Sequence, residues 1–329
     1  MSDRPADPSG AAANGPIMLV MNAVSGDNDS RATLQAIEAS VLANGRRLVT
    51  RVATEGAQVA RLAAEAVAQA VRESGIVVAA GGDGTLNAVA QAAIGSRRPL
   101  GVLPQGTFNY FARSQGLPLD PGQAARVWLE GHVRPVQVGQ VNGHVFLVNA
   151  SLGLYPRLLV AREIDNRQFG RRRIVAFWAG LRTLWQERRN LRLMLRTDGR
   201  LRRIRTPTLF VANNALQLEQ LGFDEAQAVQ SDGRLAAITV QPVGPMAMLW
   251  LALRGALGEL GRAETVDSQA FRLLSVTPLG RRHAAGIQVA YDGEIRCLQP
   301  PLTFEVAPEP LNLLVPRPPA PTLADPVPG

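Results

Sequence analysis

The residues best suited to chemistry stand in short clusters that close apolar runs. Gly81-Gly82-Asp83-Gly84-Thr85 follows the run Ile76–Ala80 and leads into a helix-forming stretch that contains Asn87. Glycines strip such a loop of side chains, so its backbone N–H groups can close on a phosphate, and a helix N-terminus adds positive potential at the same point. Thr85 adds a hydroxyl donor, and Asp83 a carboxylate that would repel a bare phosphate but can hold it through Mg²⁺. Gly106-Thr107-Phe108-Asn109 stands in the same relation to Leu100–Leu103, Asn22-Ala23-Val24-Ser25-Gly26 to Ile17–Met21, and Thr54 to Leu48–Val52. One such turn is an ordinary helix cap. Several at consecutive strand ends would meet at the carboxyl edge of a parallel sheet, where ligands bind.

A further cluster, Asp292-Gly293-Glu294, lies late in the chain. Read alone, Asp-Gly is a hairpin turn. Transfer of a phosphoryl group to an alcohol would ask for a carboxylate of this kind, because an alcohol is a poor nucleophile until a base takes its proton.

Composition excludes other chemistries. All 35 basic residues are arginine, and the formal net charge is +8. Without lysine there is no Walker-A phosphate loop, no Schiff base and no pyridoxal-phosphate enzyme. A nucleotide must be held by backbone N–H groups, helix N-termini, arginine or a metal. The single cysteine, Cys297, permits neither an intrachain disulfide nor a thiolate zinc cage, which fits a reducing compartment. His132, His144 and His283 lack metal-ligand spacing. The runs Ile76–Ala80 and Met246–Leu253 fall far short of the roughly 20 residues that cross a bilayer. Met1–Gly15 has no apolar signal core. A cytoplasmic protein with at most peripheral contact at the inner membrane face is expected.

The elements that must position these clusters follow from periodicity. Strand candidates Ile17–Met21, Leu48–Val52, Ile76–Ala80 and Leu100–Leu103 alternate with helical stretches through Leu34–Leu42, from Gln58 to Arg72, from Leu86 to Ile94 and from Tyr110. This order predicts an α/β domain with a doubly wound parallel sheet over residues 16–134. From residue 135 to 307 short strands dominate: Val136–Val141, Val145–Asn149, Arg192–Arg196, Thr208–Ala212, Ala236–Gln241, Gly286–Tyr291 and Leu302–Val306. They predict an antiparallel β-sandwich domain, interrupted by helices near Arg171–Glu187 and Met246–Leu260. Leu311–Val315 could return to the first domain, giving it a C-terminal strand near 308–315. Residues 1–15 and 316–329 read as flexible tails.

The motifs GGDGTLN (Gly81–Asn87), GTFN (Gly106–Asn109) and NAVSG (Asn22–Gly26) resemble those of the diacylglycerol kinase catalytic-domain family. Bacterial soluble lipid kinases belong to it, sphingosine and ceramide kinases are relatives, and NAD kinases are more distant. The resemblance runs from about Ile17 to Val315. It implies ATP and Mg²⁺ as cofactors and a lipid alcohol such as diacylglycerol as acceptor, with ATP in the cleft between the two domains. Asn22, Thr54, Gly81, Gly82, Asp83, Gly84, Thr85, Asn87, Gly106, Thr107 and Asn109 would form the nucleotide site. Glu294 would be the proton acceptor, with Asp292 as its partner or competitor and Asp83 facing the phosphates. Ser231-Asp232-Gly233-Arg234-Leu235 resembles a loop that holds a structural Mg²⁺, with Asp232 offering its side chain and Val229 and Arg234 their carbonyls.

Two positions depart from the family pattern. Tyr110 follows Asn109 where the second loop commonly ends in an acid, and Gln137 stands where the second domain opens on an aspartate. Loss of two anions would weaken Mg²⁺ positioning or alter substrate choice. Besides the lipid kinase, a catalytically impaired nucleotide- and lipid-binding relative is therefore a second reading, and an NAD kinase-like enzyme a third.

Between Arg157 and Arg205 fifteen arginines face four acids, interleaved with Phe177, Trp178 and Trp185. This pattern suits an anionic membrane surface, and equally a solvated basic face with buried tryptophans. No nucleic-acid-binding motif accompanies the charge, so nucleic acid is not an expected partner. A homodimer is compatible with the sequence.

Overall fold

The computed structural model describes residues 15–23, 30–106, 108–153, 190–280 and 286–318. Thr107, Val24–Gly26, most of both expected tails and the arginine-rich stretch expected to be helical near Arg171–Glu187 lie outside these residues.

The first sheet is built from β1 (Ile17–Asn22), β2 (Leu48–Ala53), β3 (Ile76–Gly81), β4 (Leu100–Pro104), β5 (His132–Val136) and β18 (Leu311–Val315), in the spatial order β2-β1-β3-β4-β18-β5. The first five of that order run parallel, and β5 is antiparallel to β18. The period-two pattern of β1 and β3 divides the core in two. Met18, Val20, Val77 and Ala79 face helices α2 (Val59–Arg72) and α3 (Asp83–Ala93). Ile17, Leu19, Met21, Ile76, Val78 and Ala80 face α1 (Ser30–Ala43) and α5 (Pro121–Glu130). Every residue of β3 is buried, which is why its sequence is apolar without alternation.

The remaining strands form two six-stranded antiparallel sheets in the orders β10-β9-β14-β17-β6-β7 and β13-β12-β11-β8-β15-β16. The first comprises β6 (Gly139–Val141), β7 (His144–Phe146), β9 (Leu191–Thr197), β10 (Arg200–Thr206), β14 (Leu273–Pro278) and β17 (Leu302–Val306). The second comprises β8 (Asn149–Gly153), β11 (Thr208–Ala212), β12 (Leu235–Val240), β13 (Val266–Phe271), β15 (Ile287–Tyr291) and β16 (Glu294–Leu298). Phe146, Leu152, Leu193, Leu209, Phe271 and Phe304 close the space between them. Helices α6 (Ala215–Gln220) and α7 (Ala226–Ser231) cover part of the second sheet through Leu218 and Val229. Helix α8 (Pro245–Ala256) follows β12.

Several expectations need correcting. The single strand expected over Val136–Val141 is two strands in different sheets, because the chain leaves the first domain at Gln137 and Val138. The return crossing lies alongside, with the Ala307 N–H donating to the Val138 carbonyl at 2.9 Å. The helix expected to start at Leu86 starts at Asp83, so the glycine-rich motif is its first turn. The helix expected from Tyr110 is the five-residue α4 (Tyr110–Ser114), and a separate helix α5 follows, with Asp120 accepting from Gln123 N–H at its N-terminus and Pro121 in its first turn. Strands β10, β13, β14 and β16 and helices α6 and α7 were not legible as separate elements.

Because β18 is inserted between β4 and β5, the first domain closes only after the second is complete. Leu313 on β18 is fully buried. Leu313→Ala is expected to destabilise the protein by about 2–5 kcal/mol, measured as a lowered urea midpoint, whereas Leu201→Ala, at an exposed position of β10, should leave the midpoint in place.

Candidate active site

The carboxyl ends of β1, β2, β3 and β4 lie side by side, as the parallel registers require. Asn22 at the end of β1 directs its Nδ2 to Thr85 Oγ1 at 3.5 Å. Thr54, just past β2, donates through N–H and Oγ1 to Gln58 Oε1 at 3.2 and 3.3 Å and is exposed. The loop after β3 and the loop after β4 touch. A Cβ on Gly106 would sit 2.9 Å from Gly82 Cα, and one on Gly81 would sit 2.6 Å from Thr85 Oγ1. Glycine is required at both for lack of space. Asn109 holds the second loop from inside: its Oδ1 accepts from Gly106 N–H at 3.0 Å and its Nδ2 donates to Gly106 O at 2.8 Å. To do so it takes a left-handed conformation, φ +49°.

Asp83 opens α3 and accepts hydrogen bonds from the Phe111 and Tyr110 N–H groups at the start of α4, which ties the two loops together. Burial raises its pKa and those two donors oppose the rise. Its Oδ1 is buried without a partner. An unpaired acceptor of this kind fits a Mg²⁺ ion arriving with a nucleotide.

One carboxylate of the second domain, Asp292, is bonded to this edge through Asn87. Asp292 and Gly293 form the turn between β15 and β16, with φ +44° and +90°, as the hairpin reading required. The Asp292 carboxylate points back into the protein. Oδ2 accepts from Leu147 N–H at 2.5 Å and from Asn87 Nδ2 at 2.9 Å; Oδ1 accepts from Val148 and Asn149 N–H at 2.9 and 3.1 Å. Burial pushes its pKa up to about 6 against the pull of those donors. Asn87 also donates to Val145 O at 2.7 Å, and one turn later Gln91 accepts from Val145 N–H at 2.7 Å. Helix α3 therefore begins at the glycine-rich loop and is hydrogen-bonded along one face to the second domain.

This arrangement separates the two carboxylates that the sequence left in competition. Asp292 has both oxygens filled by N–H donors. Glu294 lines a cavity of about 580 Å³ together with Asn87, Gln91, Ala57, His144 and Arg296, and its side chain is 40% exposed. Arg296 Nη2 stands 3.6 Å from Glu294 Oε2. His144 stacks on Tyr291 with ring centroids 5.9 Å apart. Burial, and next the Arg296 charge, hold His144 below its ordinary pKa. Gln91, His144, Tyr291 and Arg296 were not identified from sequence. Arg296, two residues beyond Glu294 in a strand and so on the same face, was the one that period two could have flagged.

The structural Mg²⁺ loop does not fit its expected ion. Asp232 is exposed and Val229 is buried in α7. The Arg234 carbonyl already accepts from Gln137 Nε2 at 2.9 Å, and the same Nε2 donates to Asn213 Oδ1 at 2.9 Å. A side-chain NH₂ thus faces the oxygens that a cation would need, and an amide replaces the anion that would balance one. Among the described residues no group of three or more His, Cys, Asp or Glu side chains is placed to hold a metal. Asn213, also missed from sequence, extends the network by donating to Leu147 O at 2.9 Å, so it steadies the segment that Asp292 holds from the other side.

Comparison with known proteins agrees with the motifs. Residues 16–141 match the family model described as the diacylglycerol kinase catalytic domain. Over that span the chain is similar to the diacylglycerol kinase catalytic-domain family. A Pseudomonas aeruginosa protein named "Probable lipid kinase YegS-like" is 38% identical over 154 residues, 46% of this chain and 49% of its own. The Bacillus subtilis protein named "Diacylglycerol kinase" is 47% identical over 81 residues, 24% of this chain and 27% of its own. The chain spans about half the length, or less, of the curated relatives it matches. In fold the likeness is wider: a crystal structure of a diacylglycerol kinase from Bacillus anthracis superposes with a TM-score of 0.63, covering 91% of this chain and 96% of the other at 19% identity. The matched segment ends at Val141, so Asp292 and Glu294 lie beyond it and join the site through the fold.

Two outcomes separate the roles. Asp292→Asn puts an NH₂ against N–H donors and should cost about 1–3 kcal/mol or more, read as a lower melting temperature, while Glu294→Gln should melt with the wild type. Mg²⁺ or chelator should not move the wild-type melting temperature through the 231–235 loop, and Gln137→Asp should make that temperature rise with Mg²⁺.

Proposed function

We propose that this protein is an ATP- and Mg²⁺-dependent kinase that transfers the γ-phosphate to the hydroxyl of a lipid such as diacylglycerol. The observation that carries the reading is the joining of the glycine-rich loop to the Asp292–Glu294 hairpin by the Asn87–Asp292 hydrogen bond. A triphosphate laid across the strand ends would meet the N–H groups of Gly81–Thr85 and the N-terminus of α3, with Asn22, Thr54, Thr107 and Gly106 around it. Mg²⁺ would enter with the nucleotide, Asp83 Oδ1 would help hold it, and it would neutralise charge on the phosphoryl oxygens.

Glu294 would receive the proton of the acceptor hydroxyl. It lies on the solvent-reachable side of the same hairpin whose other carboxylate is fully engaged, and Arg296 stands beside it to steady the carboxylate. Because the chain lacks lysine, Arg296 is the cation lining this cavity among the described residues.

A second reading is favoured by Gln137 and Tyr110. Both are neutral where the resembled motif has acids, and the Gln137 amide is spent on Arg234 and Asn213. On that reading the cleft binds nucleotide and lipid with little turnover.

Labelled ATP, Mg²⁺ and lipid extract in mixed micelles decide between them. The kinase reading expects a phosphorylated lipid whose formation falls about 10²–10⁴-fold in Glu294→Gln, without a change in melting temperature. ATP binding by calorimetry with no labelled lipid from any extract would leave the impaired relative standing instead.

A further inference from the structure

We propose that the outward face of β10, β9 and β14, at one end of the first antiparallel sheet, docks on the anionic headgroups of a phospholipid bilayer. On the lipid-kinase reading this face would hold the enzyme at the surface that carries its acceptor, whereas the docking itself requires neither ATP nor turnover.

Strand alternation sorts β9 into two sides: Leu191, Leu193 and Leu195 turn into the core between the sheets, and Arg192, Met194 and Arg196 turn out. The register of the β9–β10 hairpin then sets Arg205 opposite Arg192, Arg203 opposite Met194 and Leu201 opposite Arg196. Across the other edge of β9, Thr277 and Ser275 of β14 stand opposite Met194 and Arg196. The outward positions of this patch thus hold four exposed arginines and no acid; the one acid of the hairpin, Asp198, lies in its turn. Like charges directly opposite each other destabilise a sheet, and among the described residues none of the four arginines is in an ion pair. Arg202, on the opposite side of β10, shows the contrast by pairing with Asp267 of β13 at 2.7 Å. A face that sets Arg205 against Arg192 with no acid of its own calls for anions from outside.

Two observations select a bilayer among anionic partners. The first is that leucines stand among the arginines: Leu201, Leu273 and Leu279 are 57%, 47% and 36% exposed. Leu201 faces Arg196 across the hairpin, Leu279 donates its N–H to Arg192 O at 2.7 Å, and Leu273 is two residues from Ser275 in β14 and so on the same side. Guanidinium groups interspersed with large apolar side chains match a surface where phosphates overlie acyl chains, because arginine grips phosphate bidentately and lays its stem along hydrocarbon. A nucleic-acid backbone offers the phosphates without the hydrocarbon. The second is charge. Residues 154–189 hold nine arginines and three acids, so this part of the chain would add repulsion as a cover, and a second copy would bring the same positive face. Each arginine near an anionic leaflet strengthens binding about fivefold.

The test is flotation of the full chain with vesicles of phosphatidylcholine alone and of phosphatidylcholine mixed with phosphatidylglycerol. The wild type should float with the mixed vesicles and not with phosphatidylcholine alone, and raised salt should release it. Arg203→Glu with Arg205→Glu should cut the partition coefficient by at least about tenfold. Its melting temperature should not fall, because the change at position 205 turns a like-charge pair with Arg192 into an opposite-charge pair. Should that variant melt early, Arg205→Gln alone reads the same contact with a loss of about fivefold. Leu201→Ser with Leu273→Ser should weaken vesicle binding and leave retention on heparin, a polyanion without acyl chains, unchanged. Flotation without any phosphorylated lipid would overturn the kinase reading and leave the docking face in place. A wild type that stays unbound with the mixed vesicles, arginine variants that float as well as the wild type, or leucine variants that float undiminished while the wild type binds duplex DNA would overturn the docking face. So would a wild-type dimer that the arginine substitutions split to monomers.

Discussion

The Asp292 carboxylate is the interaction on which the rest depends. It is buried in the second domain, receives three backbone N–H groups from Leu147, Val148 and Asn149, and takes its fourth hydrogen bond from Asn87 in the first domain. A buried carboxylate is tolerated only when its acceptor positions are filled. The requirement is geometric as well as energetic. If the hairpin of β15 and β16 shifted relative to α3, Asp292 would lose Asn87 and keep its burial. The position of Glu294, two residues along, is thereby set relative to the glycine-rich loop, which belongs to the other domain.

Helix α3 transmits this constraint. Its first turn is the glycine-rich motif, and Asn87 and Gln91, one turn apart, bind the Val145 segment. One rigid helix thus carries the loop that would meet phosphate and the side chains that grip the second domain. Beneath it, the outgoing chain at Val138 and the returning chain at Ala307 are hydrogen-bonded to each other. The domains are therefore joined at a pair of adjacent crossings, at α3 and where Asn214 donates to Tyr110 O and Ser114 Oγ of α4, and the site lies along that seam.

Charge is used sparingly at the seam. Gln137 supplies an amide where the resembled motif has an acid, and its hydrogens satisfy Arg234 O and Asn213 Oδ1. Exchanging an anion and its counter-cation for one neutral donor keeps the hydrogen-bond pattern and removes two desolvation costs. Tyr110 makes a comparable exchange beside the second phosphate loop, where an aromatic ring stacks on Phe108. Asp83 and Glu294 remain as the carboxylates with free capacity toward a ligand: Asp83 has an unpaired buried oxygen, and Glu294 opens on a cavity.

The sequence by itself determined the parallel sheet, the glycine-rich turns at its strand ends and the exclusion of lysine chemistry. These follow from local rules: strand tips need glycine for close backbone approach, and buried parallel strands are apolar throughout, as β3 is. It also marked Asp292-Gly293 as a hairpin turn, which φ values of +44° and +90° bear out. Tertiary structure alone decided which carboxylate has its oxygens filled and which is exposed, because the difference lies in three N–H groups some 145 residues away and in Asn87 on another domain. It decided that Gln137 closes the 231–235 loop, a contact across 97 residues, and that α8 shows Met246, Trp250 and Leu253 to solvent and buries Leu251. The physical reason is common to all three. Hydrogen-bond saturation and exposure are properties of what surrounds a side chain, and its surroundings are assembled from segments that no local spacing relates.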